Sequence, residues 1–233
     1  MPNILAIETS TTVCSVALWT NNLLFALKEN HEKNAHSRML SVMIKEIFSE
    51  NKFSINFIDA VAVSKGPGSY TGLRIGVSLA KGLCYGLSKP LIAVDTLKAL
   101  AQQYLLLHPE TKNCKEIPLC PMLDARRLEV YTALYNSNLD EILSVSSLVI
   151  EDSCFQKYLH QKKIIFFGPG AKKCKNIISS PNAIFVDDIE PSAHGVGVLS
   201  QELYKNKQFA DIAYFEPFYL KDFIAIKSNK KFF

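Results

Sequence analysis

A mixed α/β protein built from two similar halves is what the sequence predicts, and three observations carry that expectation. An apolar run at residues 58–63 stops at Lys65-Gly66-Pro67-Gly68, and a small-residue helical pattern begins after Ser69 and Thr71. That order reads as strand, tight turn and helix, with Ser69 or Thr71 suited to cap the helix. Strand and helix patterns alternate on both sides of this block. Finally, ILAIETSTTVCSVALW near the start and CPMLDARRLEVYTALY past the middle match in spacing: Glu8 with Asp124, and Leu18 with Leu134, stand 116 positions apart. An offset near half of 233 residues indicates a duplicated supersecondary unit.

Taken in order, residues 3–10 read as a buried strand and residues 13–19 as its hairpin partner, after which Asn21-Asn22 turns the chain into a third strand at 23–29. Leu40, Met43, Ile44, Ile47 and Phe48 then follow the helical period, with Ser37 placed to cap that helix. Met39 and Val42 lie off the apolar stripe, so this helix carries apolar surface beyond one core face. The glycine-turn block follows, then a strand at 90–94 and a helix at 96–107. The polar stretch HPETKNCKE at 108–116 marks a boundary, giving a first lobe at 1–107 and a second at 108–233, whose last segment is expected to pack back on the first.

The helix after the glycine turn says most about function. Around it Leu73, Val77, Ala80, Cys84 and Leu87 share one face, while Gly72, Ile75, Leu79, Gly82 and Gly86 share the next. Only a narrow strip with Arg74, Ser78, Lys81 and Tyr85 is polar, and a helix apolar nearly all round is covered on more than one side. Interior glycines at 72, 76, 82 and 86 each cost about 1 kcal/mol relative to alanine. Close approach of another backbone would explain them. Two readings stay open: a core helix beneath a sheet, or a helix that a second protein covers.

Composition narrows the class. The formal charge is +4 and the pI about 8.6, short of what a dedicated nucleic-acid binder shows. Six scattered cysteines without a Cys-x-x-Cys pair read as reduced thiols of a cytoplasmic protein. Neither a signal peptide nor an apolar run long enough to cross a membrane is expected.

ILAIETS at the start, HSRML at 36–40, SKGPGSYTGLRIG at 64–76, LDARRLEVY at 123–131 and PFYLKD near the end together resemble the TsaB (YeaZ) family. The resemblance implies an actin-like, Hsp70-like ATPase fold of two RNase-H-like lobes, each a mixed β-sheet flanked by helices. It implies a component of the bacterial machinery that makes threonylcarbamoyladenosine beside the anticodon of tRNA. Such members act as partner and scaffold of the catalytic paralogue TsaD, with the ATPase TsaE joining. The expected partner surface comprises His36, Met39, Leu40, Met43, Gly72, Ile75, Gly76, Leu79, Gly82 and Gly86. Self-association without the partner is expected, with tRNA reached through the complex.

The resemblance also places a metal in the catalytic paralogue between two histidines one helical turn apart. Here His36 is followed four residues on by Leu40, and His31 lies off the helix, so neither a metal site nor a catalytic set is expected. Actin-like ATPases hold phosphates at two hairpin turns led by acidic residues, and Glu8 and Asp124 stand at those ends. The loops after them lack glycine, which keeps the backbone from a close approach to phosphate. Candidate nucleotide or anion positions are Glu8, Ser10, Gly66, Gly68, Ser69, Asp124 and, in FFGPGAKK, Gly168 and Gly170. No cofactor is expected, with weak binding of ATP or ADP and Mg²⁺ left open.

Arg126, Arg127 and the tail Lys227-Ser228-Asn229-Lys230-Lys231 read either as solvated surface or as contacts to tRNA phosphates. The rival functions are an autonomous metallopeptidase or ATP-dependent enzyme of the actin-like group, and a dinucleotide binder using Gly66, Gly68 and Gly72. The last would place its glycine turn after the first strand, which this chain does not.

Overall fold

The computed structural model describes residues 1–114 and 116–221, so the basic tail at 227–231 lies outside the described residues. The first half runs β1 (Ile4–Glu8), β2 (Cys14–Thr20), β3 (Leu23–Asn30), α1 (His36–Glu50), β4 (Ala60–Gly66), α2 (Tyr70–Leu87), β5 (Leu91–Asp95) and α3 (Thr96–Leu107). The second runs β6 (Leu119–Asp124), β7 (Glu129–Tyr135), β8 (Glu141–Val149), α4 (Gln156–Leu159), β9 (Ile164–Phe167), α5 (Ala171–Cys174), β10 (Ala183–Val186) and α6 (Ala193–Lys205).

The two sheets have the orders β3-β2-β1-β4-β5 and β10-β9-β6-β7-β8, so one topology occurs twice. In each, the first strand of the half is central, antiparallel to the second and parallel to the fourth. Glu8 ends β1 and Asp124 ends β6, as the 116-residue offset predicted. β1 is apolar without alternation until Glu8 because helices cover both faces of its sheet. β3, at the edge, alternates between exposed and half-buried residues, and its Lys28 is tied to Glu46 and Glu50 of α1.

Helices α1 and α2 cover the outer face of the first sheet, packing Leu40, Ile44, Ile47, Val77 and Cys84 over Leu5, Val16, Leu18 and Val61. Its inner face receives Ala99 of α3 and Ala193 and Val196 of α6. The other side of α3, with Leu97, Leu100 and Tyr104, packs against Leu119, Leu123 and Phe167 of the second sheet. Thus α3 lies between the sheets. Although α6 follows β10, it packs on the first sheet. Its Ala193 and Val196 complete a core made by the first-half strands.

Two local features are settled by capping. Ser69 caps α2, its hydroxyl accepting from the Gly72 amide at 3.2 Å. Ser37 does not cap α1. The Ala35 amide is already turned back to the Glu32 carbonyl, and the helix starts at His36 without a side-chain cap. Beyond α6 the chain returns along α2: Lys81 donates to the carbonyls of Ala213 and Phe215, the Phe218 amide donates to the Lys65 carbonyl, and Arg74 donates to the Tyr219 hydroxyl.

Candidate partner-docking groove and phosphate-site positions

The glycine turn is filled by its own chain. The Ser69 amide donates to the Ser10 carbonyl at 2.6 Å. A β-carbon on Gly68 would lie 2.6 Å from that same carbonyl oxygen. Gly66, at φ +116°, holds a backbone shape that a side chain would strain, and the Phe218 carbonyl lies against it. Gly66, Gly68, Ser69 and Ser10 therefore form a packing junction between the β1–β2 loop, the turn and the returning C-terminal segment.

The acidic strand ends have opposite surroundings. Glu8 is fully buried, and its Oε1 accepts from the Ser10 amide at 2.6 Å. Its Oε2 and the hydroxyls of Thr9, Ser10 and Ser64 have no partner among the described residues. Burial pushes the Glu8 carboxyl above the usual carboxylate range, against the hydrogen bond from the Ser10 amide that pulls it down. Asp124 is exposed and occupied, accepting from the Arg126 amide at 2.7 Å and from Lys173 Nζ at 2.6 Å. At the second glycine turn, the Gly170 amide donates to the Met122 carbonyl at 2.9 Å, and a β-carbon on Gly168 would meet that oxygen at 2.6 Å. The two acids are not brought into one site: one is sealed inside a lobe, and the other fastens a surface hairpin.

A raised native pKa means that the folded state favours the protonated acid. That contribution to stability is full below the ordinary carboxylate pKa and is lost as pH rises through the native value. Glu8→Gln keeps the acceptor for the Ser10 amide and removes the charge. It is expected to raise the melting temperature at pH 8 by at least about 2 °C, the shift for roughly 1 kcal/mol in a chain of this size. Near pH 4 it should change little. A difference independent of pH in thermal denaturation would contradict this account of Glu8.

The expected partner surface divides into residues inside the lobe and residues on it. His36 is 7% exposed and its Nε2 donates to the Val13 carbonyl at 3.2 Å. Leu40 and Met43 are core residues facing the sheet. Gly72 and Gly76 are also buried: a β-carbon there would stand 2.1 Å from the Thr9 carbonyl oxygen and 2.2 Å from the Thr9 hydroxyl. These five positions do not face outward, because the sheet and the Thr9 loop already cover them. The close approach inferred from the glycines is real for this pair, but it comes from the β1–β2 loop, by the Thr9 backbone at Gly72 and the Thr9 side chain at Gly76.

What remains on the surface is Met39, Ile75 and Leu79, each half-buried, with Gly82 and Gly86 exposed and nothing within 4 Å of a β-carbon at either. Val42 is 41% exposed. Between α1 and α2 runs an apolar groove of about 400 Å³, lined chiefly by Ile44, Phe48, Phe53, Ile55, Leu79 and Leu83. The helical period gave no reason to expect Phe53 and Ile55 there. The signal for them was the apolar side chains of NKFSINF (residues 51–57), a segment otherwise polar and turn-like.

Among the described residues no group of three His, Cys, Asp or Glu side chains is placed to hold a metal ion. None of the described helices is long and apolar enough to cross a membrane.

Two lobes of duplicated topology, with α3 and α6 between their sheets, define an actin-like ATPase-fold protein. An activator of 2-hydroxyisocaproyl-CoA dehydratase from Clostridium difficile, solved with bound ADPNP, shares this fold alone (TM-score 0.51, 9% identity, 88% of this chain and 97% of that one). YeaZ from Pseudomonas aeruginosa is far closer, with a TM-score of 0.81 at 25% identity over 94% of this chain and all of that one. A family model described as TsaD, tRNA N6-adenosine threonylcarbamoyltransferase, matches residues 30–227. The tRNA threonylcarbamoyladenosine biosynthesis protein TsaB of Buchnera aphidicola subsp. Acyrthosiphon pisum is 30% identical over 220 residues, 89% of this chain and 93% of the relative. The chain belongs to the TsaB (YeaZ) family, within the wider family that the TsaD model describes.

Proposed function

We propose that this chain acts in the biosynthesis of threonylcarbamoyladenosine in tRNA as the subunit that binds and orders a TsaD-type catalytic subunit, docking it over α1 and α2. The observation that carries this reading is the apolar groove between those helices, continued by Val42, Ile75 and Leu79 and left open where Gly82 and Gly86 let another helix approach. The buried glycines are accounted for within the lobe, whereas the exposed pair is not. A TsaE-type ATPase joins the assembly. Without its partner, the chain covers the same face with a second copy of itself. The reading gives the chain no cofactor and no turnover of its own.

The test is threonylcarbamoylation of unmodified tRNA in a reconstituted system holding the carbamoyl-adenylate synthase, TsaD and TsaE, with and without this chain. Activity only in its presence, with no ATP hydrolysis by the chain alone, is the expected result. Activity without it, or steady ATP turnover by the isolated chain, would overturn the assignment.

A further inference from the structure

The tip of the β6–β7 hairpin is the part of the surface that the docking role leaves unexplained. Arg126 and Arg127 sit there in succession at φ +73° and +47°. Left-handed backbone is the territory of glycine and asparagine, so two consecutive arginines in it run against local preference. The turn is nonetheless firmly held. The Arg126 amide donates to Asp124, the Glu129 amide donates to the Arg126 carbonyl at 3.0 Å, and the Ala125 amide donates to the Glu129 carbonyl at 3.0 Å. From α5, Lys173 Nζ reaches Asp124, the Arg127 carbonyl at 2.9 Å and the Glu129 carbonyl.

These fasteners also consume the acids. Asp124 is paired with Lys173, and Glu129 with Lys221 and Ser147. The side chains of Arg126 and Arg127 are exposed and form no ion pair among the described residues. A strained turn thus projects two cations whose local counter-charges are already neutralised. Strain of this kind, held by its surroundings, marks functional positions.

We propose that this tip is a docking point for the phosphate backbone of a structured RNA. The planar guanidinium matches phosphate in two-point hydrogen bonding, which favours arginine at such a contact. Two cations fall short of the four to eight by which a basic cluster holds an anionic membrane. The inference rests on the reading that tRNA is the object of the pathway. It goes beyond that reading by giving this subunit its own contact with the RNA.

The test is a salt titration of binding between the full chain and an unmodified tRNA transcript, comparing the parent with Arg126→Asn/Arg127→Gly. Asparagine and glycine suit left-handed backbone, so the variant should melt at the parental temperature or higher. Its affinity at low salt should fall about tenfold, and its slope of log affinity against log salt should become shallower by about two. The charge-matched control Lys205→Ala/Lys207→Ala, at the end of α6, should keep the parental slope.

A parental slope in the tip variant, an equal loss in the control, or no tRNA binding by the parent would overturn the proposal. The two readings fail separately. A chain required in the reconstituted system whose tip variant keeps the parental slope loses this surface and keeps its function. A chain dispensable there whose tip still governs RNA binding loses the function and keeps the surface.

Discussion

Gly82→Glu is expected to abolish binding of the TsaD-type subunit while leaving the chain folded. The position is exposed, and a β-carbon there meets nothing within 4 Å, so the isolated lobe accommodates a side chain without rearrangement. Replacing an exposed glycine inside a helix recovers roughly 0.5–1 kcal/mol of helix propensity, so the melting temperature should hold or rise slightly. At a docked interface the same side chain lies beside Leu79 and Leu83 and blocks the close approach that glycine permits. Burying its carboxylate without a partner costs several kcal/mol, and a loss of at least about 3 kcal/mol weakens association more than 100-fold. Calorimetric titration against the purified catalytic subunit, beside circular dichroism of the variant, separates lost binding from lost folding. Parental affinity in a folded variant would remove α2 from the interface.

Legibility from sequence follows distance along the chain. The duplicated topology could be read because each half builds its sheet from consecutive segments, so the strand ends at Glu8 and Asp124 keep a constant offset. The Ser69 cap could be read because a cap is decided within three residues. The fate of the four α2 glycines could not. Helical periodicity assigns angles around an axis but does not say which remote segment occupies each angle. Gly72 and Gly76 are covered by Thr9, more than sixty positions earlier, while no described residue covers Gly82 or Gly86. The same limit put His36, Leu40 and Met43 on the expected partner surface. They share α1 with Met39 and Val42 but point at the sheet.

The contrast between the two glycine pairs yields the second large effect. Gly72→Ala would bring a methyl group to within 2.1 Å of the Thr9 carbonyl oxygen, which is backbone and lies between Glu8 and Ser10. Relief requires moving the β1–β2 loop, which also anchors the glycine turn through the Ser69 amide. Overpacking of this severity is expected to cost about 3 kcal/mol, a fall of roughly 6–12 °C in melting temperature for a chain of this size.

Gly76→Ala meets the Thr9 hydroxyl at 2.2 Å instead, and that oxygen has no hydrogen-bond partner among the described residues. Thr9→Ala removes the obstacle there but leaves the carbonyl facing Gly72 in place. It should therefore restore most of the stability lost in Gly76→Ala and little of that lost in Gly72→Ala, as read from melting temperatures of the single and double variants. Equal rescue of both would mean that the loop yields as a unit. The buried glycines would then reflect helix packing in general rather than two specific approaches of Thr9. Unequal rescue would tie each glycine to its own atom of Thr9, and would leave Gly82 and Gly86 as the pair with no neighbour among the described residues.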